Sequence, residues 1–118
     1  MAREIELRNL TPHEVVVDAG SGTVRLPPSG VVARCTTTRE ILEHVSVEDV
    51  AVPLTRVRVV ECQELPQPEA GVMLIVSRLV AEARPDRADL VVPDDAIRDD
   101  QGRIIAVRAL ARLNDPAS

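Results

Sequence analysis

The chain has 118 residues, a formal net charge of −5, no Phe, Tyr or Trp, and only Arg among its 14 Lys-plus-Arg positions. That balance excludes a general nucleic-acid binder, which needs a basic face to neutralise phosphates, and excludes single-strand binding by stacking bases on aromatic rings. With no Lys there is no Schiff-base or P-loop chemistry either.

In chain order, "EIELRNL" (residues 4–10) alternates apolar and polar positions like a half-buried strand. "NLTPH" is turn chemistry leading out of it and into the next strand. "EVVVDAGSGTVRL" then reads as a hairpin, with Val15–Val17 and Thr23–Leu26 flanking the Gly-rich turn "DAGSG". Pro27, Pro28 and Gly30 force a second turn. "VVARCTTT" (residues 31–38) is a further strand, and "TTTREILEH" is expected to open a short helix with Thr37 or Thr38 as N-cap. "VSVEDVAVPL" alternates until Pro53 breaks it. "TRVRVVEC" (residues 55–62) is a strand with Val57 and Val59 on one face and Arg56, Arg58 and Val60 on the other, and "QELPQPEAG" is a loop.

The second half begins with "GVMLIV" (residues 71–76), a continuous apolar run suited to a strand buried on both faces. "SRLVAEARP" follows as a helix, with Ser77 as N-cap, Leu79, Val80 and Ala83 as its apolar face, and Pro85 as its stop. "ADLVVPDD" is a strand that Pro93 closes, and the strand–helix–strand unit over residues 71–92 is expected to pair locally in parallel. "AIRDDQGRIIAVRALAR" is a hairpin turning at "DDQG", with Asp99 or Asp100 capping the turn. Residues 114–118 form a frayed tail.

These elements predict an α+β domain over residues 1–113, with a mostly antiparallel sheet or partly closed barrel and one or two short helices. A domain of this size buries roughly two thirds of the surface of its unfolded chain. An all-aliphatic core lacks the large area that aromatics bring, so subunit contacts are expected to supply burial in a homo-oligomer. Cys35 and Cys62 sit in no CxxC, and His13 and His44 add no metal-ligand spacing. The cysteines are expected to stay reduced and buried, unbridged. The N-terminus is charged from its third residue and no apolar run approaches a membrane span. A cytoplasmic protein with no membrane contact is expected.

His13 precedes Glu14, but neighbours on a strand point to opposite faces, so His13 reads first as a turn residue bonded locally. "PDDAIRDDQGR" lacks the alternation of a calcium loop. No metal, cofactor or catalytic residue is assigned, and no GxSxG occurs. Ser77 and Arg78 at a helix start, with Arg25 and Arg108 on strands, are donors suited to a phosphorylated ligand.

"NLTPHEVVV", "RLPPSGVVAR", "LPQPEAGVMLIVSRLVAEARPDRADLVVP" and "IRDDQGRIIAVRALAR" together resemble a family of small proteins encoded by bacteriophages, prophages and actinobacteria. The resemblance covers nearly the whole chain in the same order. It carries no catalytic residues across, and this chain departs from it in having Met73 and Leu74 where an aromatic would precede "IVS". The resemblance implies a phage or mobile-element setting, where small acidic proteins are often non-enzymatic accessory factors. The first expectation is therefore a non-enzymatic binding protein that sequesters a small phosphorylated molecule such as a nucleotide signal, through Arg25, Arg78, Arg108, His13 and Ser77. The second is a structural or protein–protein interaction module, as a phage accessory or virion component, without a small-molecule site. A small metal-dependent hydrolase ranks third.

Overall fold

The computed structural model describes residues 3–113; the expected tail at 114–118 lies outside them. The described chain folds into eight strands and one helix: β1 (Glu6–Asn9), β2 (Val15–Asp18), β3 (Thr23–Leu26), β4 (Arg34–Val47), β5 (Val50–Gln63), β6 (Val72–Ile75), α1 (Arg78–Ala83), β7 (Leu90–Arg98) and β8 (Ile104–Ala111). Six strands form one mixed sheet in the order β1-β6-β7-β8-β2-β3, and β4 and β5 pair only with each other. The β1–β6, β6–β7 and β2–β8 junctions are parallel, so the strand–helix–strand unit pairs as expected. Most paired residues nevertheless belong to the antiparallel ladders β2–β3, β4–β5 and β7–β8.

The sheet buries apolar side chains on both sides. On one side, Leu74, Val76, Leu90 and Val92 pack with Val80 and Ala81 of α1 and with Leu10 and Ala33. On the other, Ile75 and Val91 meet Val15, Val17 and Val107. β6 and β7 alternate between the two clusters, which is why "GVMLIV" carries no polar position: both faces are buried from Leu74 on, and Val72 and Met73 are half-buried. α1 is one and a half turns long. The Ser77 hydroxyl accepts the Val80 amide at 3.4 Å, and Val80 and Ala81 are its buried face.

β1 and β3, the two ends of the strand order, are drawn together by Asn9. This residue is 2% exposed. Its amide nitrogen donates to the carbonyls of His13 (2.8 Å) and Leu26 (2.9 Å), and its side-chain oxygen accepts from the Thr11 amide (2.9 Å) and hydroxyl (2.6 Å). Two donors and two acceptor positions are all that an asparagine side chain offers, and all are filled. The Asn9 carbonyl also accepts from the Ser29 amide at 2.9 Å. The sheet is thereby curled into a partly closed barrel.

The two expected hairpins are present. In the β2–β3 turn the Ala19 amide donates to the Gly22 carbonyl (3.0 Å), with Gly20 at φ +86°. The β7–β8 turn is capped by Asp99, whose carboxylate accepts the amides of Gln101 (2.9 Å) and Arg103 (3.0 Å) and the Arg103 side chain (3.0 Å). Contrary to expectation, Pro93 does not close β7. The strand runs on to Arg98, and Pro93 sits opposite Leu110 of β8. β6 ends at Ile75, level with Val91, so the side of β7 where proline's missing N–H would matter is open beyond that point.

The largest correction concerns residues 34–63. No helix follows Thr38. β4 runs straight through "TTTREILEH" to Val47, turns at Glu48 and Asp49, and returns as β5 through Pro53 to Gln63. The result is a two-stranded ribbon of 14 residues a side, about 45 Å long at ~3.3 Å per residue. Glu48 (φ +49°) and Asp49 (φ +66°) give the turn the doubly left-handed backbone that a two-residue hairpin requires. The ribbon stands out from the body: the Cα radius of gyration is 17.6 Å, against about 13.5 Å for a compact chain of this length. The expected single compact domain is thus a compact sheet body carrying a projecting arm.

The cysteines also depart from expectation. Cys35 and Cys62 face each other across the β4–β5 ladder, with Cα atoms 3.9 Å apart, and form a disulfide. They lie at the foot of the arm, where Cys35 packs against the α1-side core. Pairing of the two strands brings them together, so the free buried thiols expected from sequence are replaced by one bridge.

Candidate functional site

The five residues expected to hold a ligand fall in separate places. Arg25 and Arg108 share the outer face of the β8-β2-β3 part of the sheet, because Val16 opposite Arg25 and the neighbours of Val107 point away from the core there. Each is already matched by a carboxylate: Arg25 by Glu14 (3.4 Å) and Arg108 by Asp95 (3.3 Å). The depression beside Arg108 is completed by Asp18, Ala19, Gly20 and Ile97. With Asp18 and Asp95 flanking one guanidinium, its local charge disfavours phosphate. Arg78 and Ser77 lie at the start of α1, and Arg78 pairs with Glu82 one turn on (2.9 Å). His13 contributes its backbone carbonyl to the Asn9 amide and the Thr11 hydroxyl, as a turn residue does. Arg25, Arg78 and Arg108 are all well exposed, and ion pairs of that kind contribute ~0–1 kcal/mol.

One charged pair that the sequence reading passed over is largely buried. Arg87 is 8% exposed and forms a double hydrogen bond with Asp89 (2.8 and 2.7 Å), while also donating to the Pro66 carbonyl (2.9 Å). The fork ties the 64–71 loop to the start of β7. The Arg87 guanidinium holds the Asp89 carboxyl below the usual carboxylate range, against the opposing effect of burial. Its place is structural, since Nε and Nη2 are both spent on protein partners. The spacing Arg-x-Asp in "RAD" was the available signal, but surface ion pairs share it.

Among the described residues no three His, Cys, Asp or Glu side chains stand close enough to hold a metal. No helix among them is long and apolar enough to cross a membrane.

The arm is the feature that the body does not explain. Every residue of β4 is exposed except Cys35 and Val45, and every residue of β5 except Cys62. Of the fourteen large apolar residues exposed among the described residues, nine lie on it. An isolated two-stranded ribbon is marginal in water, and this one has water on both faces and along both edges. The register shows how its surface is organised. From the turn outward, Val47–Val50, Val45–Val52 and Glu43–Leu54 share one face. Leu42 is then an extra residue on β4, a bulge that changes which β4 residues share a face with which β5 residues. Beyond it, the same face carries Glu40–Arg56, an ion pair of 3.6 Å, and Thr38–Arg58. The opposite face becomes aliphatic there, with Ile41, Val57 and Val59. A second bulge at Val60, on β5, restores the register before the cysteines. The arm is therefore apolar on one face near its tip and on the other face near its middle.

Searches against protein families, curated proteins and solved structures return no match for this chain.

Proposed function

We propose that the protein is a non-enzymatic interaction module whose working surface is the β4–β5 arm. The observation that carries this reading is the concentration of exposed aliphatic side chains on a ribbon with no core of its own. Contiguous exposed apolar surface on a soluble chain marks a place where another molecule sits. The Arg residues first expected to bind a phosphorylated ligand are exposed, neutralised and dispersed, so the small-molecule reading has less to rest on than the interaction reading. The setting among phage or mobile-element proteins, implied by the resemblance of the sequence, suits an accessory or structural component. The Cys35–Cys62 bridge persists in oxidising surroundings and opens in a reducing cytoplasm. Strand pairing fixes the register in both cases, but the arm is held more firmly where the bridge is closed.

Site-specific photo-cross-linking tests the reading. A photoreactive residue at Leu54 or Val59, introduced in the organism that carries the gene, is expected to give protein-sized adducts, whereas one at Arg25 gives none. The reading fails if arm positions yield no adduct. It also fails if acid-denatured protein releases a stoichiometric phosphorylated small molecule whose retention is lost in Arg108→Ala and unchanged by arm substitutions.

A further inference from the structure

We infer that the partner of the arm is a second copy of this chain: two arms lie antiparallel, face to face, across a two-fold axis near Glu43 and Leu54. The inference rests on the interaction reading above and adds the identity of the occupant. Charge carries it. Glu48 and Asp49 at the tip, and Arg58 in the middle, make no ion pair or side-chain hydrogen bond among the described residues. Unpaired acid is thus gathered at one end of the arm and unpaired base farther back. A uniformly charged partner, such as an anionic lipid surface or a nucleic acid, would match one group and repel the other. A second copy laid antiparallel matches both at once, because a two-fold interface repeats every contact with the roles exchanged. Arg39 lies on the face away from the contact, and the two copies of Glu43 meet at the axis as like charges, a cost set against two matched contacts.

The spacing fits. Along β5, Arg58 stands nine residues behind the turn residue Asp49, or about 30 Å at ~3.4 Å per residue. An axis midway between them sets the Glu48–Asp49 turn of each arm beside Arg58 of the other. It lays Val47 and Val50 over the Arg58 stem and Thr38, and Val45 and Val52 over the Arg56 stem. Arginine stems cover apolar surface while their charged heads reach outward, here to the opposing acidic turn. The bulge at Leu42 is what permits this: it puts the tip valines and the Arg56 and Arg58 side chains on the same face of one ribbon. The two bodies end on opposite sides of the axis, roughly 50 Å apart at the same rise per residue, so they do not collide. Ten residues of overlap on a ribbon two strands wide is a small contact, in the range of reversible complexes.

Sedimentation equilibrium from about 1 to 100 µM, followed by refractive index because the chain has no aromatics, tests the pairing. The wild-type chain is expected to dimerise reversibly in that range. Arg58→Glu alone and Glu48→Arg alone should each weaken the dimer at least tenfold, since each places like charges together twice. An equimolar mixture of the two variants should associate about as well as wild type, because both contacts are then opposite in sign. That recovery also shows that each variant is folded. Wild type remaining monomeric at ~100 µM overturns the self-pairing, as does a mixture no better than either variant alone or charge-reversed chains that dimerise unchanged. None of these outcomes bears on whether arm positions cross-link to another protein, so the wider interaction reading stands or falls separately.

Discussion

Replacing Asn9 with alanine removes all four side-chain hydrogen bonds at the point where β1 meets β3. The Leu26 carbonyl loses its 2.9 Å partner and the Thr11 amide its acceptor, whereas the His13 carbonyl keeps the Thr11 hydroxyl at 3.1 Å. A typical hydrogen bond contributes ~1 kcal/mol net, and a buried group left unpaired costs ~1–3 kcal/mol more. Thr11 and His13 are near enough to solvent for water to recover part of the loss, so about 3 kcal/mol is expected in all. That is a large share of the ~5–15 kcal/mol that holds a domain together. With a urea slope of ~2 kcal/mol/M, the midpoint should fall by about 1.5 M. Far-UV circular dichroism is the assay, since the chain has no Trp or Tyr to report by fluorescence. Thr11→Val, which deletes only the hydroxyl's bonds at 2.6 and 3.1 Å, should cost about 1 kcal/mol. Asn9→Asp should be worse than alanine at neutral pH, because it turns an oxygen towards two carbonyls. A loss below ~1 kcal/mol in Asn9→Ala would refute the idea that this side chain holds the sheet closed.

Asp89 makes stability depend on pH. Its folded-state pKa is depressed by Arg87, so its contribution is fully present above the ordinary carboxylate pKa and is lost as pH falls through the lower folded value. Asp89→Asn should flatten that acid limb in denaturation curves and lower stability at neutral pH by about 2 kcal/mol, less than a fully buried pair would lose because Asp89 is 15% exposed. An unaltered acid limb would count against the pair as its source. Reducing the Cys35–Cys62 bridge frees a loop of 27 residues' separation, worth about 3–4 kcal/mol in closure entropy. Hydrogen exchange should quicken in β4 and β5 well before it does in β6 and β7, and equal acceleration throughout would show that arm and body unfold as one. Arg25→Ala, Arg78→Ala and Arg108→Ala should each shift stability by less than ~1 kcal/mol, as exposed pairs do. A larger loss in thermal unfolding would reveal a role that the ion pairs do not explain.

The body was legible because its patterns have local causes. The apolar run at residues 71–76, the Ser77 cap and the two polar turns each read correctly from a few neighbours. The arm was not, for three reasons. "TTTREILEH" offers a helix cap, and nothing local opposes it; only pairing with β5, whose partners lie up to 25 residues away, makes it a strand. The alternation that marks a strand comes from one wet and one dry face, and an arm wet on both sides has no such contrast. Its turn uses Glu48 and Asp49 rather than the Gly or Asn that advertise a left-handed backbone. The signal that was present is symmetry: "VSV" and "VAV" mirror each other about "ED", and Cys35 and Cys62 stand equally far from it. The candidate ligand residues were judged singly as donors, whereas their carboxylate partners come from other strands or another turn and were invisible one residue at a time. Asn9 was overlooked beside His13, although it is the residue that holds "NLTPH" in shape.

The bulges at Leu42 and Val60 lie on opposite strands and cancel. The arm therefore behaves as a ruler with two offsetting marks. One residue gained or lost in either strand between the turn and the cysteines would slide Cys35 past Cys62 and exchange the inner and outer faces of everything beyond the change. Length can vary there only by matched changes in both strands. Any lengthening in steps other than two per strand would also turn the tip valines away from the side that carries Arg56 and Arg58. The reach of the arm and the direction in which it presents its apolar end are thus coupled, so a variant chain can adjust its reach only in discrete steps.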